Sequence, residues 1–323
     1  MKLAFLFPGQ GSQGVGMGKA LAEQFPAARE AFVIADRVLG FPLSRVCWEG
    51  PDEELRATQQ AQPALLAHSV AALRLLEAHG FRPAWVAGHS LGEYSACVAA
   101  GAVSYEDALR LVRRRGELMQ EAGRRRPGTM AAILGLGAPE VAAACAAASG
   151  AGLEVVAAND NAPGQIVISG DVEAVKRACE IAKARGARRA IGLPVSGAFH
   201  SPLMRPAADQ LAGVLDAVEL HDPRCPIVSN VDAREVRTAG EVRAALQRQL
   251  TEPVRWHDSM RLLMGRKPDD FVEVGTGRVL CGLLRSIDPA VAPIALNLGE
   301  PKDVEAIVSR LESHRQPAAK GGD

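Results

Sequence analysis

A serine flanked by glycines is the residue of this chain best suited to act as a nucleophile. Residues 88–92 read GHSLG and fit the pattern G-x-S-x-G, with Ser90 at the centre. The apolar run WVA at 85–87 is typical of a strand, and a helix-like segment follows without a pause. On such a turn the hydroxyl stands above the sheet, and free N–H groups at the helix start favour a developing oxyanion. The pattern predicts a nucleophile elbow; the alternative is a Gly-Ser turn that only caps a helix.

A serine hydroxyl needs a base, and His200 is the best candidate among the seven histidines. It lies in VSGAFHSPL at 195–203, a Gly- and Pro-bounded loop that follows a predicted strand at the junction of two parts of the chain. Loops at such junctions often hold binding and reacting groups. Of the remaining histidines, His68 and His79 are interpreted as helix residues, and His89 as a neighbour of Ser90 that the tight turn points away. The others are interpreted as surface residues: His221, His257 and His314.

Arg115 is a cation on the apolar side of a predicted helix. The segment SYEDALRLVRRRGELMQEAG at 104–123 begins with a capping-box-like pair. With about 100° of rotation per residue, Arg115 falls in the middle of the apolar stripe, whereas Arg113 and Arg114 do not. A buried guanidinium needs an anionic partner. The position therefore predicts a clamp for a substrate carboxylate, with a structural salt bridge or a snorkelling side chain as the alternatives.

The glycine-rich stretch FPGQGSQGVGMG at 7–18 is not a nucleotide-binding loop. It lacks the Gly-Lys-Ser/Thr ending of a P-loop and the spacing of the dinucleotide fingerprint. It is better interpreted as a strand-to-helix turn that brings Gln10 to the same sheet edge as Ser90. Backbone N–H groups there could help to hold an anion.

These side chains need a scaffold, and the apolar pattern predicts an α/β fold. Helical patterns such as PALLAHSVAALRLLEAHG at 63–80, with proline at the start and glycine at the end, alternate with short apolar runs. Continuous rather than alternating apolar strands predict a buried parallel sheet, and with the elbow this is an α/β-hydrolase-like core. The predicted strands are 3–7, 84–88, 226–230, 271–275 and 293–297.

The middle of the chain departs from this simple alternation of strands and helices. Its order is βαββαβ, which is typical of the ferredoxin-like unit. We therefore expect a small domain at 127–196, inserted into a large catalytic domain formed by 1–126 and 197–312, with a flexible tail at 313–323. The predicted strands of the insertion are 129–136, 153–158, 164–170 and 188–195, and its helices are 138–149 and 172–185.

The composition excludes several classes of protein. The 37 basic residues balance the 37 acidic ones, so no overall charge argues for nucleic-acid or membrane binding. The six cysteines have no metal-ligand spacing, which is typical of reduced thiols in a cytoplasmic protein, and neither a metal nor a redox cofactor is expected. No apolar run is long enough to cross a bilayer, and the start MKLAFLFPGQG is too short in apolar residues for a signal peptide.

Seven segments, in one order along nearly the whole chain, resemble a known family. They are FPGQGSQ, GPDEELRATQQAQPAL, GHSLGEYSA, RRGELMQEA, NAPGQIVISG, GAFHSPLM and VEVGTGRVLCGLL. The family is that of the malonyl-CoA:acyl carrier protein transacylases, the loading enzymes of bacterial fatty-acid synthesis. The resemblance implies a ping-pong reaction, in which a serine takes the malonyl group from coenzyme A and the phosphopantetheine thiol of a carrier protein then accepts it.

The resemblance also implies the roles of the reacting groups. Ser90 is the nucleophile and His200 its base. The oxyanion hole is formed by the backbone N–H groups of Leu91 and Gln10, and such donors contribute about 3 kcal/mol each. Arg115 pairs with the free malonyl carboxylate.

Further residues are implied around these groups. No acid follows the serine in an obvious triad position, and the family instead orients its histidine with a backbone carbonyl, here that of Gln249. Asn161 and Met119 line the pocket. Phe199 precedes the histidine, and in related polyketide acyltransferases phenylalanine at that place goes with malonyl rather than methylmalonyl. Exclusion of a branching methyl group is worth about 1–3 kcal/mol.

The implied partner is an acidic acyl carrier protein, and the implied enzyme is a monomer that needs no cofactor. We expect one or both of two arginine clusters to steer the carrier protein, because they flank the insertion and lie near His200 in the chain. The alternative is that these arginines are solvated surface charges without a binding role. The clusters are Arg124–Arg126 and the set Arg185, Arg188 and Arg189.

Three alternative functions stay open. A freestanding acyltransferase of a polyketide synthase would share every one of these residues and differ in its carrier protein. A hydrolase of acyl thioesters would use the same serine and histidine, although a buried Arg115 suits a charged acyl group that is kept for transfer. A non-catalytic binding module would require an idle serine–histidine pair, and nothing in the motifs is visibly damaged.

Overall fold

The structure, a computed structural model, describes residues 1–314 and consists of two β-sheets with helices packed around them. The strands are β1 Leu3–Phe7, β2 Trp85–Gly88, β3 Gly128–Leu134, β4 Val155–Ala162, β5 Gln165–Asp171, β6 Arg189–Gly192, β7 Ile227–Val228, β8 Glu235–Val236, β9 Asp270–Val274 and β10 Ala295–Leu298. The helices are α1 Lys19–Gln24, α2 Pro26–Leu39, α3 Leu43–Glu49, α4 Asp52–Arg56, α5 Thr58–Ala78, α6 Gly92–Ala99, α7 Tyr105–Arg125, α8 Ala138–Ala148, α9 Val172–Ala184, α10 Arg205–Asp216, α11 Ala239–Arg248, α12 Trp256–Gly265, α13 Val279–Ile287 and α14 Pro301–Ser313. Short 3-10 turns lie at Pro202–Met204 and Pro289–Ile294.

The larger sheet has six strands in the order β10-β9-β1-β2-β7-β8. Every neighbouring pair is parallel except β7 and β8, which are antiparallel. All five residues of β1 are buried, because helices cover both faces of the sheet, and this explains the continuous apolar run. The predicted α/β fold with a buried parallel sheet is confirmed. The edge strand β8 was not predicted, because its two residues are too short to show a pattern.

The strand order brings three turns to one edge of this sheet. β1, β2 and β7 are neighbours and run in the same direction, so their carboxyl ends lie side by side. The turn after β1 holds Gln10, the turn after β2 holds Ser90, and the segment after β7 holds Asn230. The carboxyl edge of an open parallel sheet is the usual place for a binding site.

The smaller sheet is antiparallel, in the order β4-β5-β3-β6, with α8 and α9 packed on it. In chain order its elements run βαββαβ, and the predicted ferredoxin-like unit is confirmed. Its apolar core is a separate cluster that includes Ile133, Val141, Ile168 and Val175.

We propose that this unit is a small domain at 127–196, inserted into a large domain of 1–126 and 197–312. The cluster around Ile133 and Val175 supports this division, because all of its buried residues come from 127–196. Met130, Ala158 and Val167 of the small domain pack instead into the core of the large domain. The predicted tail at 313–323 lies outside the described residues from position 315 onward, and α14 ends at Ser313.

Three general properties of the described part of the chain bear on its chemistry. None of its helices is both long enough and apolar enough to span a membrane. Residues 1–314 contain no group of three or more His, Cys, Asp or Glu side chains that could hold a metal ion. All six cysteines are free, and four of them are buried.

Candidate active site

The turn from β2 into α6 is too tight for a side chain at either of its glycines. A Cβ atom on Gly92 would lie 2.0 Å from the carbonyl oxygen of Phe7, and one on Gly88 would lie 1.9 Å from the carbonyl of Gly92. The helix start therefore passes directly over the end of β1. Ser90 takes the left-handed conformation, with φ at 52°, which is strained for a residue with a side chain. This geometry has every feature of the predicted nucleophile elbow.

The structure brings Ser90 and His200 together from 110 positions apart. The Oγ atom of Ser90 lies 2.7 Å from Nε2 of His200. The other ring nitrogen, Nδ1, lies 2.9 Å from the carbonyl oxygen of Gln249 and 3.2 Å from that of Glu252. Carbonyl oxygens only accept hydrogen bonds, so Nδ1 carries the proton and Nε2 is free to accept the hydroxyl proton of Ser90.

His200 is held in its neutral form. Its side chain is buried, and the charge of Arg115 lies nearby. Burial first, and then the positive charge of Arg115, lower the pKa of His200 to about 3. A histidine that stays unprotonated in the resting site is able to accept a proton when the serine reacts.

Arg115 lies at the centre of the site and is 1% exposed. Its Nη2 donates to Oγ of Ser90 at 3.2 Å and to Oε1 of Gln249 at 2.9 Å, and its Nη1 donates to Oε1 of Gln62 at 2.8 Å. Its Nε is buried without an acceptor among residues 1–314, and the guanidinium lies 5.5 Å from the centre of the Tyr94 ring.

None of the partners of Arg115 is an acid. No ion pair within residues 1–314 involves Arg115, so the structural salt bridge considered above is not formed. Burial lowers the pKa of its guanidinium, which shows the cost of holding this charge in the site. The arrangement fits a binding site for the anionic group of a ligand.

Gln249 connects three parts of the site. Its backbone carbonyl accepts the hydrogen bond from His200, and its side-chain Oε1 accepts the one from Arg115. Its Nε2 donates to the carbonyl of Ser90 at 3.0 Å and to the carboxylate of Glu93. Only the backbone carbonyl of Gln249 was predicted to act in the site, and the role of its side chain was not.

Two backbone N–H groups beside Ser90 are without acceptors. These are the N–H groups of Gln10 and Leu91, which form no hydrogen bond with any of the described residues. Both residues line the same cavity as Ser90. The side chain of Gln10 turns away and donates to Thr58 at 3.4 Å. Two free donors next to a nucleophile are the arrangement expected of an oxyanion hole.

A cavity of about 300 Å³ opens above Ser90, between the two sheets. The three predicted pocket residues, Met119, Asn161 and Phe199, all line it. Asn161 lies on β4, and its Oδ1 is 2.8 Å from Nε2 of His89. The ring of His89 also packs on Trp256, with 5.3 Å between ring centres, and has no hydrogen bond to Ser90. His89 therefore joins the two sheets and is not placed to act as the base.

Asn230 holds both sides of the elbow and was missed by the sequence analysis. Its Oδ1 accepts from the backbone N–H of Ser90 at 2.7 Å, and its Nδ2 donates to the carbonyl of Gly88 at 2.7 Å. Its own N–H donates to Glu93 at 3.1 Å. The available signal was its place at the end of the predicted strand 226–230, which puts a polar side chain at the carboxyl edge of the sheet.

Residues 4–286 match the family model of the acyl transferase domain. The malonyl CoA-acyl carrier protein transacylase of Bacillus subtilis (strain 168) is 46% identical over 317 residues, which cover 98% of this chain and 99% of that protein.

Two solved structures are similar in fold as well as in sequence. An acyl carrier protein S-malonyltransferase from Vibrio cholerae is 42% identical with a TM-score of 0.91, and the match covers 95% of this chain and 100% of that one. A malonyl-transacylase in complex with its type II PKS acyl-carrier protein is 43% identical with a TM-score of 0.92, over 96% of this chain and 100% of that one. The chain therefore belongs to the acyl transferase family, in the group of the malonyl CoA-acyl carrier protein transacylases.

Proposed function

We propose that this protein transfers the malonyl group of malonyl-CoA to the phosphopantetheine thiol of an acyl carrier protein, through an ester on Ser90, for fatty-acid synthesis. One observation carries the proposal: Oγ of Ser90 lies 2.7 Å from Nε2 of His200 and 3.2 Å from Nη2 of Arg115. A nucleophile, a neutral base and an unpaired cation thus meet at one oxygen. The relatives named as malonyl transacylases, and the one solved with a carrier protein, support the same reaction.

The first half of the reaction loads the serine. Oγ of Ser90 attacks the thioester carbonyl while its proton passes to Nε2 of His200. The carbonyl oxygen becomes an oxyanion, which the N–H groups of Gln10 and Leu91 stabilise. When the C–S bond breaks, the imidazolium gives its proton to the departing thiolate, and coenzyme A leaves as the thiol.

The second half runs the same steps in the opposite direction. The phosphopantetheine thiol gives its proton to His200 and attacks the carbonyl of the malonyl-serine ester. The C–O bond to Ser90 breaks, and the serine oxygen takes the proton back from the imidazolium. The carbonyl of Gln249 keeps the ring of His200 in one tautomer through both halves, so that Nε2 faces the serine each time.

Arg115 binds the free carboxylate of the malonyl group and so selects the substrate. Its guanidinium is already buried and fixed by two amides, so little ordering is needed when the anion binds. Met119, Asn161 and Phe199 form the walls around the acyl group. The ring of Phe199 disfavours a branched acyl group such as methylmalonyl by about 1–3 kcal/mol.

The function is tested by intact-protein mass after brief mixing with malonyl-CoA. The wild-type chain should gain one malonyl group, and the gain should disappear when an acyl carrier protein bearing phosphopantetheine is added. The malonyl group should then be found on the carrier protein. Release of coenzyme A with no loading of any carrier protein would instead identify a hydrolase, and no release at all would overturn the proposal.

The polyketide acyltransferase is the second candidate function. The similar transacylase solved with a type II PKS acyl-carrier protein favours keeping it, because that protein matches this chain over almost its whole length. The two functions share the site and differ in the carrier protein. Rates of malonyl transfer to a fatty-acid carrier and to a polyketide carrier, measured side by side, separate them.

The low pKa of His200 predicts an acylation rate that hardly depends on pH where free histidine titrates. We use acetyl-CoA as the donor, because it has no second carboxylate to titrate or to meet Arg115. With a pKa of about 3, His200 stays neutral from pH 7 down to pH 5. For a base with the ordinary pKa of about 6.5, the neutral fraction would fall about 25-fold over that range. Rapid-mixing rates that fall about 25-fold from pH 7 to pH 5 would contradict the buried, neutral His200.

The two arginine clusters proposed to dock the carrier protein differ in how far their charges are paired with nearby acids. Arg125 pairs with Glu121, and Arg126 binds Asp171 through two nitrogens, so this cluster is largely neutralised. The side chains of the second cluster are exposed and form no ion pair or hydrogen bond with the described residues. They are Arg185, directly after α9, Arg188, just before the edge strand β6, and Arg189, the first residue of β6.

Reversing the charge of the second cluster should slow transfer to the carrier protein. We expect Arg185→Glu, Arg188→Glu and Arg189→Glu together to lower the transfer rate at low salt by about tenfold, with loading from malonyl-CoA unchanged. A control with the same charge change at exposed arginines outside both clusters is Arg37→Glu, Arg45→Glu and Arg261→Glu. Equal transfer by the two variants would show that net charge alone, and not a docking surface, steers the carrier.

A further inference from the structure

Glu93 is a buried carboxylate that the proposed mechanism does not use. It lies in the first turn of α6, three residues after Ser90, and is 2% exposed. Its Oε1 accepts from the backbone N–H of Asn230 at 3.1 Å, and its Oε2 accepts from Nε2 of Gln249. It has no hydrogen bond to His200, so it is not the missing acid of a triad.

Glu93 and Arg115 are opposite charges joined through one amide. Neither forms an ion pair with any of residues 1–314. Between them lies the side chain of Gln249, which donates from Nε2 to Glu93 and accepts at Oε1 from Arg115 at 2.9 Å. Burial raises the pKa of Glu93 to about 7, and the hydrogen bond from Gln249 is the strongest of the contacts that oppose this rise.

Three groups decide which way the amide of Gln249 faces. The guanidinium of Arg115 has only donors, so it needs an oxygen opposite it. The carbonyl of Ser90 and the carboxylate of Glu93, which is ionised above its pKa of about 7, only accept, so they need the NH₂ group. If the amide were turned over, a donor would face Arg115 and an oxygen would face both acceptors.

We propose that Glu93 is a positioning residue for malonyl transfer, which fixes the amide of Gln249 so that its oxygen holds the guanidinium of Arg115 in place for the acyl carboxylate. The inference rests on the proposed function. It gives Glu93 its largest effect on the charged acyl group, because only that group has a carboxylate for Arg115 to bind.

The substitution Glu93→Gln tests this role with almost no change in shape. The new amide keeps an oxygen for the N–H of Asn230 and turns its NH₂ group toward Nε2 of Gln249, so two donors face each other. The repulsion displaces the amide of Gln249, and the guanidinium of Arg115 is no longer held in place. At pH 8, where Glu93 of the wild type is ionised, we expect kcat/KM for loading from malonyl-CoA to fall about 10- to 100-fold, mainly through KM. Loading from acetyl-CoA should stay within about threefold, because the acetyl group has no carboxylate for Arg115 to bind.

The matched control is Asp232→Asn, which removes the same charge close to Glu93 without touching Gln249. Asp232 pairs with Arg248 and Arg234 near the surface. This variant should keep the wild-type ratio of malonyl to acetyl loading. If its ratio falls as far as that of Glu93→Gln, the effect is one of general charge and the inference is wrong. Equal losses with both donors in Glu93→Gln would also overturn it, and would assign Glu93 to the support of the elbow through Asn230.

A second variant keeps the inference testable if Glu93→Gln does not fold. Gln249→Met removes the amide and keeps the backbone carbonyl that holds His200. Loading from both donors should slow, because the bond to the Ser90 carbonyl is also lost, but the ratio of malonyl to acetyl loading should fall at least about tenfold further. An unchanged ratio would contradict the proposal. Failure of the proposed function is recognised separately, because the wild type would then gain no malonyl mass at all.

Discussion

Ser90→Ala should take up no malonyl group, and its turnover should fall by about 10⁶-fold, as expected when a covalent nucleophile is removed. Alanine lacks the only atom that can form the ester. The elbow should keep its shape, because the contacts from Ser90 to Asn230 and to Gln249 run through its backbone N–H and carbonyl. Intact-protein mass after mixing with malonyl-CoA measures the loss, and the thermal unfolding midpoint checks the fold.

The control for this substitution is Ser95→Ala. Ser95 is also buried on α6, and its hydroxyl has no hydrogen-bond partner within the described residues. The variant should load malonyl groups at the wild-type rate. A malonyl adduct that persists in Ser90→Ala would place the nucleophile on another residue and refute the proposed mechanism.

Arg115→Ala should change which acyl group the protein accepts. We expect kcat/KM for loading from malonyl-CoA to fall about 10²- to 10³-fold, since a buried, hydrogen-bonded charge pair loses one partner. Acetyl-CoA brings no carboxylate, so its loading should change by less than about tenfold. The variant should therefore prefer acetyl over malonyl relative to the wild type, which initial rates with the two donors will show.

Arg114→Ala provides the matched control on the same helix. Its guanidinium is partly exposed and, within the described part of the chain, pairs only with Glu117, at 3.4 Å. Surface pairs of this kind contribute at most about 1 kcal/mol, so both donors should load as in the wild type. If Arg115→Ala lost malonyl and acetyl loading equally, Arg115 would be a structural residue and the clamp would be disproved.

Features of the fold that depend on near neighbours in the chain were predictable. The βαββαβ order of the smaller sheet and the buried strands of the larger one follow from runs of apolar residues, which show which segments are covered on both faces. The elbow at 88–92 was predicted from the local pattern G-x-S-x-G between an apolar run and a helix start. The reason that glycine is required at 92, the close approach to Phe7 at the end of β1, is visible only in the structure. The edge strand β8 was not predicted, because two residues are too few to show an apolar pattern.

The base could be predicted only in part from the sequence. Spacing alone marked His200 as a loop histidine at a junction, and the family resemblance selected it. The structure places it 2.7 Å from Ser90, across 110 positions of the chain. Helical periodicity similarly placed Arg115 on an apolar face but left a salt bridge and a substrate clamp as alternatives.

The family, the α/β fold with its inserted unit, and the elbow can be predicted from the sequence alone, because local patterns and the order of the motifs indicate each of them. The surroundings of Arg115, the side-chain role of Gln249, and the positions of Asn230 and Glu93 are seen only in the folded chain. Those contacts join segments up to 159 positions apart. Hydrogen bonds between such distant segments leave no periodic trace in the sequence, since they are formed only when the carboxyl ends of neighbouring strands and the loops beyond them meet at one edge of the sheet.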